Sequence, residues 1–245
     1  MNFRDKKAVI LGGSSGIGFR VAEKILSDGG HVILGGRSLD KLQMAVEKLK
    51  NQLGVPHHRI SIATVDTQDK DSILKFFAPL SNIDHLFTPG ASYSLGPLLE
   101  ISDEEAESPF RSKFWGQYYA VKAAALKFSP QASVVLMSGA ASVRPLKGSS
   151  AYAACNAAIE GLGRAFALEL HPVRVNVISP GTVDSDLWRN RPAELRQQAF
   201  SYFEKSNITG KVATVSEVAE AVCFLLLNGS MTGSTVYTDG GYSLR

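Results

Sequence analysis

Short apolar runs alternate with amphipathic stretches along almost the whole chain. The runs fall at 8–11, 31–35, 59–65, 85–88, 133–137, 174–178 and 234–238, and each reads as a buried strand. Between them, 17–28, 39–53, 69–79, 102–128, 152–170 and 215–227 repeat apolar residues at helical spacing. Ile17, Val21 and Ile25 share one face of the first helix, and Leu42, Val46, Leu49 and Leu53 one face of the second. Such alternation predicts βαβ units with right-handed crossovers, hence an α/β fold whose parallel sheet is covered on both sides. Gly29-Gly30 marks the end of the first helix, and Thr214 and Glu217 have the spacing of a capping box at the start of the last. The segment 182–213 lacks a clear pattern, although WRNRPAELRQQAFSYFEK within it is partly helical. It follows a strand's carboxyl end, where open α/β sheets bind ligands, so 184–213 is expected to form a substrate lid, with a surface insertion as the plainer reading.

Composition narrows the class. A chain of 245 residues with 44% hydrophobic and 20% charged positions is expected to fold as one soluble domain over 1–245. A net charge of +3 gives no case for nucleic acid, and the lysines between 41 and 50 fall on the polar side of their helix. Cys155 and Cys223 form no CxxC pair and are expected to be reduced thiols of a cytoplasmic protein. The leading MNFRDKK lacks a signal-peptide core, and the apolar run 221–227 is too short to span a membrane. His57-His58 has no acidic or thiol neighbour at ligand spacing, so no metal site is expected. The aromatic group Phe114, Trp115, Tyr118 and Tyr119 is expected to pack a helix into the core or into a subunit contact.

The most informative chemistry lies at 8–18, AVILGGSSGIG. Strand, glycine turn and helix N-terminus together present free N–H groups to an anion, and glycine lets the main chain approach closely. Gly12, Ser14, Ser15, Gly16, Ile17 and Gly18 are therefore candidates for cradling a dinucleotide pyrophosphate.

The glycine turn, Tyr152, the Pro180-Gly181 pair and the terminal TDGG at 238–241 together resemble the short-chain dehydrogenase/reductase family, in order and spacing over essentially the whole chain. The resemblance implies a single-domain Rossmann-type, doubly wound parallel sheet of about seven strands, a nicotinamide cofactor and a homodimer or homotetramer. Leu11 stands where the family's glycine motif begins with Thr. The second strand ends Leu34-Gly35-Gly36-Arg37-Ser38, with Gly36 in the family's acidic position. A guanidinium with no carboxylate beside it suits a ribose 2′-phosphate, so Arg37 and Ser38 favour NADP(H) over NAD. Asp66, followed by Thr67, matches the residue that contacts adenine, or else caps the next helix. Gly90 falls in the family's Asn-Asn-Ala-Gly run, which here reads Thr88-Pro89-Gly90-Ala91. Pro180, Gly181, Val183 and Ser185 lie in the segment that resembles the holder of the nicotinamide carboxamide.

The candidate active-site positions depart from the pattern of the family they resemble. Members use a Tyr as general acid/base, a Lys four residues later, a Ser 13 residues earlier and an Asn on a preceding helix. Here Tyr152 is followed by Asn156 at the lysine position, and Gly139 holds the serine position. Phe110 to Gly116, FRSKFWG, places Lys113 at the asparagine position, so lysine and asparagine have exchanged places. An ammonium near a phenol lowers its pKa, which a neutral Asn156 cannot do. Lys113 is expected to supply that charge, the plainer alternative being a solvent-facing lysine. Ser138 is the nearest substitute for the missing serine, with Ser142 or the Gly139 N–H as alternatives, and Ser138 has a local structural reading too.

These residues predict an NADP(H)-dependent oxidoreductase acting on a carbonyl or secondary alcohol, with Tyr152, Lys113, Asn156 and Ser138 catalytic. Leu187, Trp188, Phe200, Tyr202 and Phe203 of the lid point to an apolar or aromatic substrate. Two rivals stand beside it: a cofactor-binding protein with little dehydrogenase activity, and an isomerisation or dehydration that uses Tyr152 without net hydride transfer.

Overall fold

A computed structural model describes residues 2–89 and 92–245. The expected strands form one parallel sheet: β1 (Lys7–Leu11), β2 (His31–Gly36), β3 (Ile60–Thr64), β4 (Ile83–Thr88), β5 (Phe128–Met137), β6 (Arg174–Pro180) and, after the two short strands named below, β9 (Thr235–Thr238). Their order is β3-β2-β1-β4-β5-β6-β9. The order reverses between β1 and β4, and a crevice opens there at the carboxyl ends of the strands, the place where doubly wound sheets bind ligands.

Burial on both faces follows from the apolar runs. On one face α1 (Gly16–Ser27), α2 (Leu39–Leu53) and α9 (Val215–Leu227) pack Ile25, Leu42, Leu49 and Val222 against Ile10 and Leu34. On the other, α3 (Lys70–Phe77), α5 (Gly116–Ala124) and α6 (Ser150–Glu169) pack Phe77, Val121 and Ile159 against Val9, Leu86 and Val134. The helix ends behave as their sequences dictate. Gly29 turns left-handed at φ +83, and the Thr214 and Glu217 capping box is formed.

Two stretches differ from expectation. The helix predicted over 102–128 is broken into α4 (Asp103–Pro109), a π-helical segment Phe110–Trp115, and α5. Pro109, which has no N–H to give the helical ladder, immediately precedes the wide turn. The patternless segment is more regular than predicted: it holds β7 (Val183–Asp184), α7 (Asp186–Arg189), α8 (Ala193–Ser206) and β8 (Ala213–Thr214), with β7 and β8 paired in parallel. Among the described residues no helix is long and apolar enough to cross a membrane, and no group of His, Cys, Asp or Glu could hold a metal ion.

Candidate active site

The glycine turn enters α1 as a bare cradle. Gly12 and Gly16 take positive φ angles of 75 and 55, and a Cβ on Gly18 would lie 2.4 Å from the Gly12 carbonyl oxygen. Ser15 occupies the N-cap without a side-chain capping hydrogen bond among the described residues, and the first turn of α1 carries no acidic residue. The N–H groups of that turn are thus left for an outside anion, and the cradle fits a pyrophosphate. At the end of β2, Arg37 is exposed and makes no ion pair among the described residues, while Ser38 caps α2 by accepting from the Lys41 N–H at 3.3 Å. Asp66 accepts from the Gln68 N–H at 3.0 Å, and Asp69, not Asp66, caps α3. The Thr67 carbonyl lies 2.8 Å from where a Gly116 Cβ would be, so that glycine lets α5 close on the loop. Gly90 lies outside the described residues.

Beside the cradle is a cavity of about 420 Å³, and it brings together much of what the sequence singles out. Its wall includes Gly12, Ser15, Gly16, Ile17 and Gly18 of the turn, Pro180, Gly181, Val183 and Ser185 after β6, and Lys113, Ser138 and Tyr152. From the expected lid come Leu187, Trp188 and Phe203. Phe200 backs Trp188 edge-on at 5.8 Å, whereas Tyr202 is half exposed and outside this wall. A Cβ on Gly181 would meet Asp239 at 3.0 Å, so this glycine lets the end of β6 close on the turn after β9.

At the centre, the π segment carries Lys113 into the protein, where it is 2% exposed. Its Nζ donates to the Ser138 carbonyl at 2.7 Å and to Asn156 Oδ1 at 2.5 Å, and sits 5.0 Å from the centre of the Tyr152 ring. Burial pushes the lysine down to about 8, against the upward pull of Tyr93 and Cys155. Burial also pushes the Tyr152 phenol above its ordinary range, with the Tyr93 hydroxyl and the Asn156 amide pulling it back. The phenol is therefore protonated at neutral pH, and a neighbouring ammonium does not by itself make it acidic. Asn156 lies one turn below Tyr152 on α6, and its amide faces Gly139, where a Cβ would meet it at 3.4 Å in ordinary contact. Its Nδ2 is buried without a hydrogen-bond partner among the described residues.

The Ser138 hydroxyl fits the structural one of its two readings. Its one proton lies between two acceptors, the Asn156 carbonyl (2.9 Å) and Glu160 Oε1 (3.1 Å), inside a buried network in which Ser142, Ser179 and Tyr237 also reach the same carboxylate. The Glu160 carboxylate thus ties the ends of β5 and β6, through Ser138 and Ser179, and β9, through Tyr237, to α6, and the Ser138 hydroxyl is engaged in that network. Sequence reasoning missed two residues. Glu160 is one; the other is Tyr93, which lies in the cavity wall with its ring stacked on Tyr152 at 4.1 Å and 22°. Glu160 stands two helical turns beyond Tyr152 on the face of α6 that carries it, which was the available signal. Tyr93 lies in a loop, where no periodicity announces a facing residue. Cys155 is the inert thiol expected, its Sγ 3.3 Å from the Pro109 carbonyl and its pKa pushed up to about 11 by burial.

Residues 12–243 match the family profile described as enoyl-(acyl carrier protein) reductase. The chain is 30% identical over 253 residues to the short-chain dehydrogenase/reductase malC of Malbranchea aurantiaca, covering 99% of this chain and 96% of that one. It is 29% identical to the 3-oxoacyl-[acyl-carrier-protein] reductase FabG of Chlamydia trachomatis, with 97% of each chain covered. Among solved structures it superposes on the MalC reductase/Diels-Alderase of Malbranchea aurantiaca with a TM-score of 0.92 at 28% identity, over 99% of this chain and 98% of that one. It also superposes on a small-chain dehydrogenase in complex with NADPH, with a TM-score of 0.81 at 28% identity, over 98% and 100% of the two chains.

Proposed function

The chain belongs to the short-chain dehydrogenase/reductase family, and on that premise we propose that it is an NADP(H)-dependent oxidoreductase that reduces a carbonyl group, with Tyr152 as the proton donor and Lys113 as its cationic partner. The observation that carries the reading is the buried Lys113 amine set over the Tyr152 ring, beside the glycine cradle. The cradle, with Arg37 at the end of β2, would hold the dinucleotide and its 2′-phosphate, and Asn156 would hold a ribose hydroxyl or a water. When bound, the nicotinamide supplies hydride to the substrate carbon. Tyr152 gives its phenolic proton to the oxygen that gains negative charge, and its high pKa keeps that proton in place until then. The phenolate left behind is stabilised by the adjacent ammonium, which is charged at neutral pH because its own pKa is about 8. Reduction is the direction this pairing favours, since oxidation would need the phenolate first. Tyr93, whose ring covers that of Tyr152, is a second phenol able to meet the substrate oxygen where the Ser138 hydroxyl is engaged.

NADPH consumption across aldehydes, ketones and quinones, with product analysis, tests the reading. Turnover that vanishes in Tyr152→Phe supports it. A second reading is a cofactor-binding scaffold that does not transfer hydride, and the commitment of Ser138 to Glu160 favours it. Tight NADPH binding with no consumption of any carbonyl would make that second reading the better one. The relative whose name couples a reductase with a Diels-Alderase makes product analysis without added NADPH worth including.

A further inference from the structure

The cavity holds more positive charge than carbonyl reduction uses. Lys113, Arg144 and Arg191 line it, against one carboxylate, Asp186, which lies 3.7 Å from Arg189. Neither Arg144 nor Arg191 forms an ion pair among the described residues. Their settings differ. Arg191 follows α7 in the segment that begins at Ser185, whose Cβ lies 4.0 Å from the Cβ position of Gly16 in the cradle. A cation in that segment would serve phosphates held by the cradle, and the Arg191 guanidinium lies 4.7 Å from the centre of the Trp188 ring. Arg144 comes instead from the loop between β5 and α6 and is fixed against the end of the chain. Its Nη1 donates to the Tyr242 carbonyl at 2.6 Å, and its guanidinium lies 4.2 Å from the centre of the Tyr242 ring. Asp239 holds that end in place, accepting from the N–H groups of Gly241 (2.9 Å) and Ser243 (2.8 Å).

The remaining N–H groups of Arg144 make no hydrogen bond among the described residues. Tyr242 is 4% exposed, and its hydroxyl is shut away from the cavity on the side of Tyr202, so its ring serves as the platform on which the guanidinium lies. Burial, then the neighbouring Tyr202 phenol, push its pKa up, so it stays neutral and does not pair with the arginine as a phenolate. The free edge of a flat guanidinium is the donor set that a carboxylate accepts in the bidentate manner. The surrounding wall is apolar and aromatic, through Tyr93, Leu146, Trp188 and Phe203.

We infer that this cavity takes an aromatic carbonyl compound bearing a carboxylate, which Arg144 receives while Tyr242 holds the guanidinium in place. The carbonyl part of the inference rests on the oxidoreductase reading; the acid-binding part stands on Arg144 alone. The test uses two matched pairs of probes, para-benzoylbenzoate and naphthoate, each against its methyl ester. Binding to the NADP-loaded full chain is measured by calorimetry, and NADPH oxidation by the benzoyl pair is followed in parallel. Each acid should bind about tenfold or more tightly than its ester, as a charge-assisted contact implies, and the preference should shrink at high salt. Arg144→Gln should abolish the preference while leaving ester binding in place, Arg144→Lys should keep part of it, and Arg191→Gln should leave it intact. Melting temperature checks that each variant is folded. Should Arg144→Gln fail to fold, the comparison of wild type with Arg144→Lys and Arg191→Gln decides. Equal binding of acid and ester in the wild type, no binding of any probe, or a preference that follows Arg191 would overturn the inference. An acid preference without NADPH oxidation would retain the anion site and remove the hydride-transfer reading; oxidation without acid preference would do the reverse.

Discussion

Replacing Lys113 by Met removes the charge on which the proposed proton transfer turns while keeping a flexible apolar stem of similar length. The amine lies 5.0 Å from the centre of the Tyr152 ring, over which a phenolate spreads its charge. At an effective dielectric constant of about 20, one ammonium at that distance contributes about 3 kcal/mol, or about two orders of magnitude in rate. The stabilisation is present below pH 8 and is lost as pH rises through the lysine pKa of about 8. In the wild type, kcat/KM for carbonyl reduction should therefore fall off near pH 8. In Lys113→Met the rate should drop by about 100-fold and that limb should disappear, leaving only the higher limb of Tyr152. The variant also strips a donor from the Ser138 carbonyl and Asn156 Oδ1, worth about 1–3 kcal/mol each if left unsatisfied, so melting temperature and NADPH affinity must be measured alongside. The double variant Lys113→Asn with Asn156→Lys moves the cation to the neighbouring helix and should recover much of the lost rate. Wild-type turnover with an unchanged pH profile in folded Lys113→Met would refute the electrostatic argument outright.

Three further outcomes follow from the same geometry. Arg37→Glu should weaken NADPH binding by about 10–100-fold, as loss of a charge-assisted phosphate contact and gain of a repulsive carboxylate imply, and should narrow the gap to NADH; fluorescence titration with both reduced cofactors checks this. Gly18→Ala places a methyl group 2.4 Å from the Gly12 carbonyl oxygen, so the turn must open; NADPH affinity should collapse and the melting temperature should fall. Tyr93→Phe keeps the ring stacked on Tyr152 but removes its hydroxyl, and should lower kcat/KM about tenfold with NADPH affinity unchanged, whereas unchanged steady-state kinetics would take that phenol out of the reaction.

How much of this was legible in the sequence depended on the range of the interaction. Strands such as β1 and β2 declared themselves because burial on both faces demands apolar runs, and the cradle did so because glycine there answers to local backbone geometry. The exchange of Lys113 and Asn156 was also readable as a pattern, but the direction of the lysine was not, because it depends on a wide turn in a stretch with ordinary helical periodicity. Ser138 looked like the missing serine by position alone; Glu160, 22 residues on, claims its hydroxyl instead. Arg144 and Tyr242 are 98 residues apart, and only the closing of the crevice makes them neighbours. Chemistry held by one element could be read in advance, and chemistry shared between elements could not.

The π turn that delivers Lys113 has a consequence for how enzymes of this kind are recognised. Two helices converge on the end of β5, and either can lend the ammonium that the phenol's conjugate base calls for. The cation is thus owned by the crevice, not by a fixed station in the sequence. On the proposed reading, a search that demands lysine one turn after the tyrosine would discard such chains as dead, although their charge has only entered by a different door.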